Sequence, residues 1–157
     1  MADVFTAKKR SVIMAGIKSQ HTVPEKLVRS ALHSLGYRFR LHAAGLPGKP
    51  DILLPRHRVA VQVRGCFWHG HTCFDGHIPR TRRNYWLPKI RGNKRRDALN
   101  DRRLRDLGWS VIVVWACKCE VASRFRMERV RIERFIERTA MRRRDEWSLG
   151  NSSRTSS

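Results

Sequence analysis

The stretch from Arg58 to Cys73, RVAVQVRGCFWHGHTC, joins a strand-forming half to a half that is rich in chemically active side chains. In the first half, Val59, Val61 and Val63 alternate with other residues, so they share one face of an extended chain. The second half, GCFWHGHTC, holds two cysteines, two histidines and two large aromatic side chains. The sequence therefore predicts a strand that leads directly into a metal site, an active site or a surface that contacts a partner.

The composition points to a nucleic-acid partner. The chain has 157 residues, which suits one domain, and its 34 Lys and Arg against 13 Asp and Glu give a net charge of +21. Such an excess favours association with a polyanion. A membrane partner is disfavoured, because no apolar run approaches the ~20 residues that span a bilayer. The N-terminus, MADVFTAKKR, lacks the apolar core of a signal peptide, so we expect a cytoplasmic protein with reduced cysteines.

The pattern of apolar and turn residues predicts an α/β domain with a small mixed sheet flanked by helices. Thr22, Pro24 and Glu25 make a capping-box start for a first helix that ends at Gly36. The other predicted elements, in chain order, are strands at Tyr37–Leu41, 51–54 and 58–64, a helix from Leu87 or Asn93 to Leu107, a strand at Trp109–Trp115 and a basic helix from Val121 to about Arg143.

The two ends of the chain differ from its middle. Residues 1–20 are basic, and their few apolar side chains make only a short helical stripe between Val12 and Ile17. The last residues, GNSSRTSS, have the composition of a disordered segment. We therefore expect a basic N-terminal arm (1–20), one domain (21–143) and a disordered tail (144–157).

The spacing of cysteine and histidine predicts a zinc site. Cys66, His71 and Cys73 follow the pattern C-x4-H-x-C, and thiolates with imidazole are ligands that suit zinc. Such cysteines can instead be small buried hydrophobes, but three ligand-type residues within eight positions favour a metal. The fourth ligand stays open among His69, Cys117 and Cys119.

A second group of residues predicts a magnesium-dependent nuclease site. Asp51 begins one strand, and Gln62-Val63-Arg64 ends the next, an arrangement with which many nucleases bind magnesium at the scissile phosphate. His69 carries an imidazole, the side chain that most often acts as a general base in hydrolysis. Glu25 could orient that histidine or hold a metal-bound water, although the capping box is the favoured explanation. Asp97, in a basic run, has the sequence environment of a solvated helix charge.

Basic and aromatic residues together predict a surface that binds DNA. Eleven Lys and Arg, against two acids, lie between Arg80 and Arg105, as is typical of a helix that faces phosphates. Aromatic side chains that can insert between base pairs are interleaved with the basic ones or lie in the polar loop: Phe67, Trp68, Tyr85 and Trp86. Trp109 and Trp115 flank the apolar strand and are predicted to lie in the core.

These blocks resemble the very short patch repair (Vsr) endonucleases, a family that cleaves one DNA strand beside a T:G mismatch produced by deamination of 5-methylcytosine. The resemblance spans about residues 1–117, and the spacing between its blocks holds as well as the residues. The blocks are the MADV start, Met14, Glu25, LPGKPD (46–51), GCFWHGHTC, the run from Arg82 to Asn93, Arg96-Asp97 and LGWSVIVVW (107–115). The resemblance implies a restriction-endonuclease-like single domain, related to the PD-(D/E)xK nucleases, with a structural zinc.

The resemblance also implies catalytic roles. Asp51 and the Val63 carbonyl would bind magnesium, and His69 would activate the attacking water. Glu25 and Asp97 would support the metal-bound waters and the hydrogen bonds of the active site. The zinc ligands would be Cys66, His71, Cys73 and Cys117.

On the DNA side, the resemblance implies insertion from both grooves. Phe67, Trp68 and Trp86 would wedge in from the major-groove side of the mismatch. Met14 would enter from the minor groove. Lys89 and Asn93 would contact the mismatch region. The expected partner is double-stranded DNA with a T:G mismatch, and the expected state is a monomer.

This chain departs from the family pattern at two positions. The best-known member has Thr and His where this chain has Val63 and Arg64. Arg64 cannot give up a proton at useful pH, but it can stabilise phosphate charge, so we expect an active QxR variant. The alternatives are a zinc-stabilised mismatch- or DNA-binding protein with weakened or no nuclease activity, and a basic RNA-associated protein.

Overall fold

The computed structural model describes residues 20–152, so the N-terminal arm with Met14 lies outside the described residues. Seven main elements follow one another within that range: α1 (Val23–Ser34), β1 (Arg40–Leu41), β2 (Ile52–Leu54), β3 (Val59–Arg64), α2 (Arg83–Asp106), β4 (Ser110–Trp115) and α3 (Ala122–Ser152). Three short 3-10 turns connect them at Pro55–His57, Phe74–Gly76 and Ala116–Lys118. The predicted α/β organisation is confirmed.

The four strands form one mixed sheet in the order β1-β2-β3-β4. β2 runs antiparallel to β1 and β3, whereas β3 and β4 are parallel. Val59, Ala60 and Val61 are fully buried, because β3 lies inside the sheet and helices cover both faces. The most regular part of the opening stretch therefore forms the centre of the domain.

Helices α1 and α3 pack on one face of the sheet, and α2 packs on the other. The first core contains Val28 and Leu32 of α1 with Ile132 and Ile136 of α3. The second core is smaller and places Leu104 of α2 against Trp109 and the strands. The long, basic α3 is thus an integral part of the fold. No helix among the described residues combines the length and apolar character needed to cross a bilayer.

The start of α1 confirms the predicted capping box. The Thr22 side chain accepts from the Glu25 N–H, and the Glu25 side chain accepts from the Thr22 N–H. Pro24 occupies the first turn, and Gly36 follows the helix with φ +81°. This cap fixes the position of Glu25 at the amino end of α1, on the side of the sheet where β3 ends.

Both long helices exceed their predicted bounds. Helix α2 begins at Arg83, before the predicted starts at Leu87 and Asn93, because the burial of Trp86 in tertiary contacts outweighs the loop-like local composition. Helix α3 continues to Ser152, past the predicted end near Arg143. The prediction of a disordered tail is therefore wrong for residues 144–152, which continue the same helix, while 153–157 lie outside the described residues. The predicted strand Tyr37–Leu41 is reduced to its last two residues.

Truncation of Ile136 to Ala should destabilise the whole domain. Ile136 is 1% exposed and lies in the core shared by the sheet, α1 and α3, so we expect a loss of about 2–5 kcal/mol in the free energy of unfolding. The matched control is Met127→Ala on the same helix, where the side chain is 75% exposed and the expected change is within about 0.5 kcal/mol. Urea denaturation measures both. Equal effects would contradict the packing of α3 on the sheet.

Candidate functional site

Three segments of the chain meet at the carboxyl end of β3. The antiparallel register pairs Ile52 with Val61, which brings Asp51, at the start of β2, alongside the end of β3. The parallel register pairs Arg64 with Trp115, so the segments that follow β3 and β4 leave the sheet side by side. Chemically active residues that are distant in sequence are therefore neighbours at this edge.

Asp51 is held by the backbone of β3. The Val63 N–H donates to Asp51 Oδ2 at 2.7 Å. Burial raises the pKa of the Asp51 carboxyl; the Val63 N–H opposes that rise, and the nearby Glu25 carboxylate adds to it. A bound cation would stabilise an ionised carboxylate in this place, which is the electrostatic setting of a metal ligand.

Glu25 is both a capping residue and a member of a buried charged group. It is 2% exposed, and Arg29 Nη2 donates to Glu25 Oε2 at 2.6 Å. The same Arg29 nitrogen lies 3.2 Å from His42 Nε2. Ligand atoms of Glu25, His42 and Asp51 lie within 4.8 Å of one another, so these side chains could share a cation. Arg29 already supplies positive charge beside them.

His69 has a carboxylate partner on α2. His69 Nδ1 lies 2.5 Å from Asp97 Oδ2, and both side chains are largely buried. Asp97 is therefore not the freely solvated charge that its local sequence suggested. A carboxylate at Nδ1 favours the tautomer that carries its proton there, which leaves Nε2 able to accept a proton from water.

Arg64 is paired in the same way. Arg64 Nη2 donates to Asp101 Oδ1 at 2.6 Å, and the two side chains are only 12% and 9% exposed. Sequence reasoning missed Asp101. The available signal was its spacing: a residue four positions after Asp97 lies on the same face of a helix. Arg29 could have been found by the same spacing from Glu25, whereas no sequence pattern marked His42.

A cavity of about 850 Å³ collects all the predicted catalytic residues. It lies between the amino end of α1, the end of β3 and the middle of α2. Its lining includes Glu25, Asp51, Val63, Arg64, His69 and Asp97. One space is thus faced by carboxylates that suit a hard cation, by a histidine that can accept a proton and by a guanidinium. This combination of groups can hydrolyse a phosphodiester.

A second cluster consists of three cysteines and one histidine. The ligand atoms of Cys66, His71, Cys73 and Cys117 lie within 4.8 Å of one another. A tetrahedral zinc ion with Zn–S bonds of about 2.3 Å holds its sulfur ligands about 3.8 Å apart. Cys117 Sγ already lies 3.7 Å from His71 Nδ1. The donor set and its spacing therefore fit a closed structural zinc site.

The thiols of this cluster differ in acidity. Burial raises the pKa of Cys66 to about 12, whereas a hydrogen bond with His71 lowers the pKa of Cys73 to about 7. Burial also raises the pKa of Cys117. A metal ion that binds here replaces the thiol protons and offsets the repulsion among three neighbouring thiolates. Metal affinity and folding of the loop are therefore coupled.

The geometry favours Cys117 over Cys119 as the fourth ligand. Arg64 pairs with Trp115, and Cys66 and Cys117 each lie two residues beyond these partners. Cys119 instead packs in the core, with its Sγ 3.9 Å from the Trp115 carbonyl oxygen. Trp115, predicted to lie in the core, is half-buried and stacks on the cluster histidine His71, with ring centroids 4.3 Å apart. His69, the other candidate, is bonded to α2.

Two glycines allow the loop to fold so tightly around the cluster. A Cβ at position 76 would lie 1.9 Å from the His71 carbonyl oxygen, so only Gly76 fits there. Gly70 has φ +61°, and a Cβ at that position would lie 2.8 Å from Ile90 Cγ2 of α2. The turn between His69 and His71 therefore lies in close contact with α2.

The predicted wedge residues form one aromatic cluster beside the cavity. The ring centroid of Phe67 lies 5.1 Å from that of Trp68 and 5.0 Å from that of Trp86, in edge-to-face geometry. Phe67 and Trp68 are half-buried, whereas Trp86 is 8% exposed. Trp86 therefore supports the other two rings from α2, and Trp68 also lines the cavity.

The other predicted DNA contacts fall on the same helix. Asn93 Nδ2 donates to the Trp68 carbonyl oxygen at 2.9 Å, so Asn93 holds the aromatic loop in place. Lys89 is exposed, and its Nζ lies 5.8 Å from the Tyr85 ring centroid. Met14 lies outside the described residues.

Comparison with known proteins identifies the family. The model of "DNA mismatch endonuclease Vsr" matches residues 2–75. The type II nicking enzyme V.XorIIP of Xanthomonas oryzae pv. oryzae is 49% identical over 118 residues, which cover 75% of this chain and 87% of that protein. This chain belongs to the Vsr family of DNA endonucleases. The type II nicking enzyme V.NmeAIP of Neisseria meningitidis serogroup A is 46% identical over 118 residues, covering 75% of this chain and 84% of that protein.

A further Vsr-family relative shows how far the likeness extends. The DNA mismatch endonuclease Vsr of Escherichia coli K12 is 38% identical over 150 residues, covering 96% of this chain and 90% of that protein. Such coverage includes most residues of α3, so the likeness extends into the C-terminal helix of this chain. Membership confirms the recognition from sequence, the assignment as a DNA nicking endonuclease and the DNA substrate, and it implies the restriction-endonuclease-like fold.

Replacing Cys117 should separate the metal cluster from the core cysteine. We expect Cys117→Ser to lose bound zinc, and Cys119→Ser, a buried thiol two residues away, to retain about one zinc per chain. Elemental analysis of purified protein measures both. Zinc retention in Cys117→Ser, or its loss only in Cys119→Ser, would contradict the assignment of the cluster.

Proposed function

We propose that this protein nicks one strand of double-stranded DNA next to T:G mismatches that arise from deamination of 5-methylcytosine, in a magnesium-dependent hydrolysis. The observation that carries this proposal is the shared cavity at the end of β3. It gathers Asp51, the His69–Asp97 pair and Arg64 directly beside the aromatic cluster of Phe67, Trp68 and Trp86. Cleavage chemistry and a surface for a distorted base step thus lie next to each other.

Asp51 and the Val63 carbonyl would hold the magnesium ion. In a strand, the N–H and C=O of one residue point to the same side, so the Val63 carbonyl faces Asp51 as its N–H does. Two residues beyond the last β2–β3 pair, Ile52 with Val61, Pro50 would lie opposite Val63, and proline has no N–H to donate to that carbonyl. The oxygen is therefore left for a cation, and hard oxygen donors suit magnesium. When bound, magnesium polarises the phosphate and lowers the pKa of coordinated water.

His69 would take the proton of the attacking water. Asp97 fixes the ring through Nδ1, so Nε2 accepts the proton and the carboxylate stabilises the imidazolium that forms. Glu25, which is held by the helix cap and Arg29, would hydrogen-bond metal-bound water. Each of these carboxylates acts through an orientation that the fold has already set.

Arg64 would contact the scissile phosphate. A guanidinium stays protonated at all useful pH, so it contributes positive charge and hydrogen bonds to the phosphate oxygens rather than a proton. The side chain lines the cavity with Asp51 and His69. A phosphate contact from Arg64 would favour an active QxR enzyme over a DNA-binding protein with weakened nuclease activity.

Recognition would rest on the aromatic cluster and α2. Phe67 and Trp68 would insert between base pairs from the major groove, with Trp86 behind them. A mismatched step is easier to unstack than a paired one, which gives such wedges their preference. Lys89 and Asn93 would act near the mismatch, with Asn93 also holding the loop, and Met14 would approach from the minor groove. The enzyme would act as a monomer.

The Cys66, His71, Cys73 and Cys117 cluster would bind a structural zinc ion. Four protein ligands close the coordination shell and leave no position for substrate. Because Phe67, Trp68 and His69 all lie between the ligands Cys66 and His71, zinc would order the wedge and the general base together.

Substitution of the metal ligand and the general base should abolish nicking of a T:G duplex. We expect Asp51→Asn to lose activity by at least about 10³-fold, and His69→Gln by about 10²–10⁴-fold because proton transfer is lost. The matched control is His77→Gln, an exposed histidine of the same loop, which should nick at the wild-type rate. Initial rates are measured on a T:G duplex and on the C:G duplex of the same sequence. Equal nicking of the C:G duplex would contradict mismatch specificity, and an active Asp51→Asn would contradict the metal site.

The thermal stability of Asp51→Asn provides a check that the variant is folded. Burial raises the pKa of Asp51, so the ionised form carries a cost in the folded state at neutral pH when no metal is present. An amide removes that cost and can still accept from the Val63 N–H. The metal-free variant should therefore melt at a higher temperature than the metal-free wild type.

A further inference from the structure

Helix α2 presents two carboxylates, one helical turn apart, to the segment at the end of β3: Asp97 lines the cavity, and Asp101 is buried against Arg64. Asp97 contacts His69 and Asp101 contacts Arg64, at 2.5 Å and 2.6 Å respectively. Positions four apart on a helix face the same way. The side chains that they hold, His69 and Arg64, both belong to the segment at the end of β3. One helix face thus holds both the imidazole and the guanidinium that the end of β3 contributes to the cavity.

The contact between Asp101 and Arg64 has the features of an orienting bond. Both side chains are about nine-tenths buried, and the pairing of ionised groups strengthens the hydrogen bond. A long arginine side chain otherwise samples many rotamers, and fixing it costs conformational entropy. Among residues 20–152 the structure records Asp101 as the only partner of the Arg64 guanidinium, through Nη2. The other N–H groups of the fork are thus available to an anion in the cavity.

We infer that Asp101 is a positioning residue for catalysis: it holds the Arg64 guanidinium in the orientation that meets the scissile phosphate, as Asp97 holds His69. The inference rests on the proposed role of Arg64. Charge alone does not explain the arrangement, because Asp101, behind Arg64, reduces the net positive charge beside the cavity and so weakens general attraction for DNA. The benefit of the carboxylate is geometric, and it should appear in the rate of the chemical step rather than in binding.

Single-turnover nicking of a T:G duplex, with the enzyme saturating, tests this inference together with the Kd for the same duplex. We expect Asp101→Asn to slow the chemical step by at least about tenfold, since a misplaced group loses its orientation advantage, while Kd stays the same or falls. Asp101→Glu should recover part of the rate. The matched control is Asp106→Asn, an exposed acid on the same helix, which should be unchanged. Thermal melting establishes that each variant is folded, and if Asp101→Asn is not, Asp101→Glu and the cycle below are compared instead.

The double-mutant cycle of Arg64→Ala, Asp101→Ala and both together distinguishes the possible failures. If Asp101 acts through Arg64, its removal has no further effect on the rate once Arg64 is absent. Additive losses would show that Asp101 acts elsewhere and would overturn the inference. A slow Arg64→Ala with an Asp101→Asn at the wild-type rate would overturn it too, leaving the role of Arg64 intact. Wild-type nicking by Arg64→Ala would refute the role of Arg64 itself.

Discussion

The pairing of β3 with its two neighbours is the constraint on which the site depends. Because β3 runs antiparallel to β2 and parallel to β4, its carboxyl end meets the start of one neighbour and the end of the other. Asp51 arrives from β2, while Cys117 arrives from the segment after β4. A shift of one residue in either register would turn side chains to the opposite face of the sheet and separate these groups. The buried valines of β3 fix that register through the core.

The loop after β3 brings cluster residues, aromatic side chains and His69 together in one short segment. Between the clustered ligands Cys66 and His71 lie two aromatic residues and the histidine that faces Asp97. Helix α2 contacts the same segment through Asn93, Asp97 and Ile90, so the loop is held from both the cluster side and the helix side. We expect this double attachment to keep the aromatic surface and His69 at a constant spacing, which would relate the position of the nick to the position of the distorted base step.

Local sequence was sufficient for features whose causes are local. The capping box at Thr22–Glu25, the apolar strands and the tight C-x4-H-x-C spacing each depend on a few adjacent residues, and each was found. Partners that depend on register or helix phase were not. The preference for Cys117 over Cys119 follows from the pairing of Arg64 with Trp115, and Asp101 acquires its partner only when α2 packs against the end of β3. The predicted start of helix α2 is too late, because the burial of Trp86, a tertiary effect, decides where the helix begins. The resemblance to the Vsr family supplied the expected roles of Asp97 and Val63 and the expectation of Cys117 as a zinc ligand, none of which composition and spacing decided.

Hydrogen–deuterium exchange with and without zinc tests most directly whether the cysteine cluster organises the site. We expect removal of the metal to increase amide exchange across residues 65–78, which contain the aromatic pair and His69, while the central amides of β3 and β4 stay protected. Nicking of the T:G duplex should fall in parallel and return when zinc is restored. Unchanged protection of residues 65–78 in zinc-free protein, with nicking at the full rate, would contradict the account.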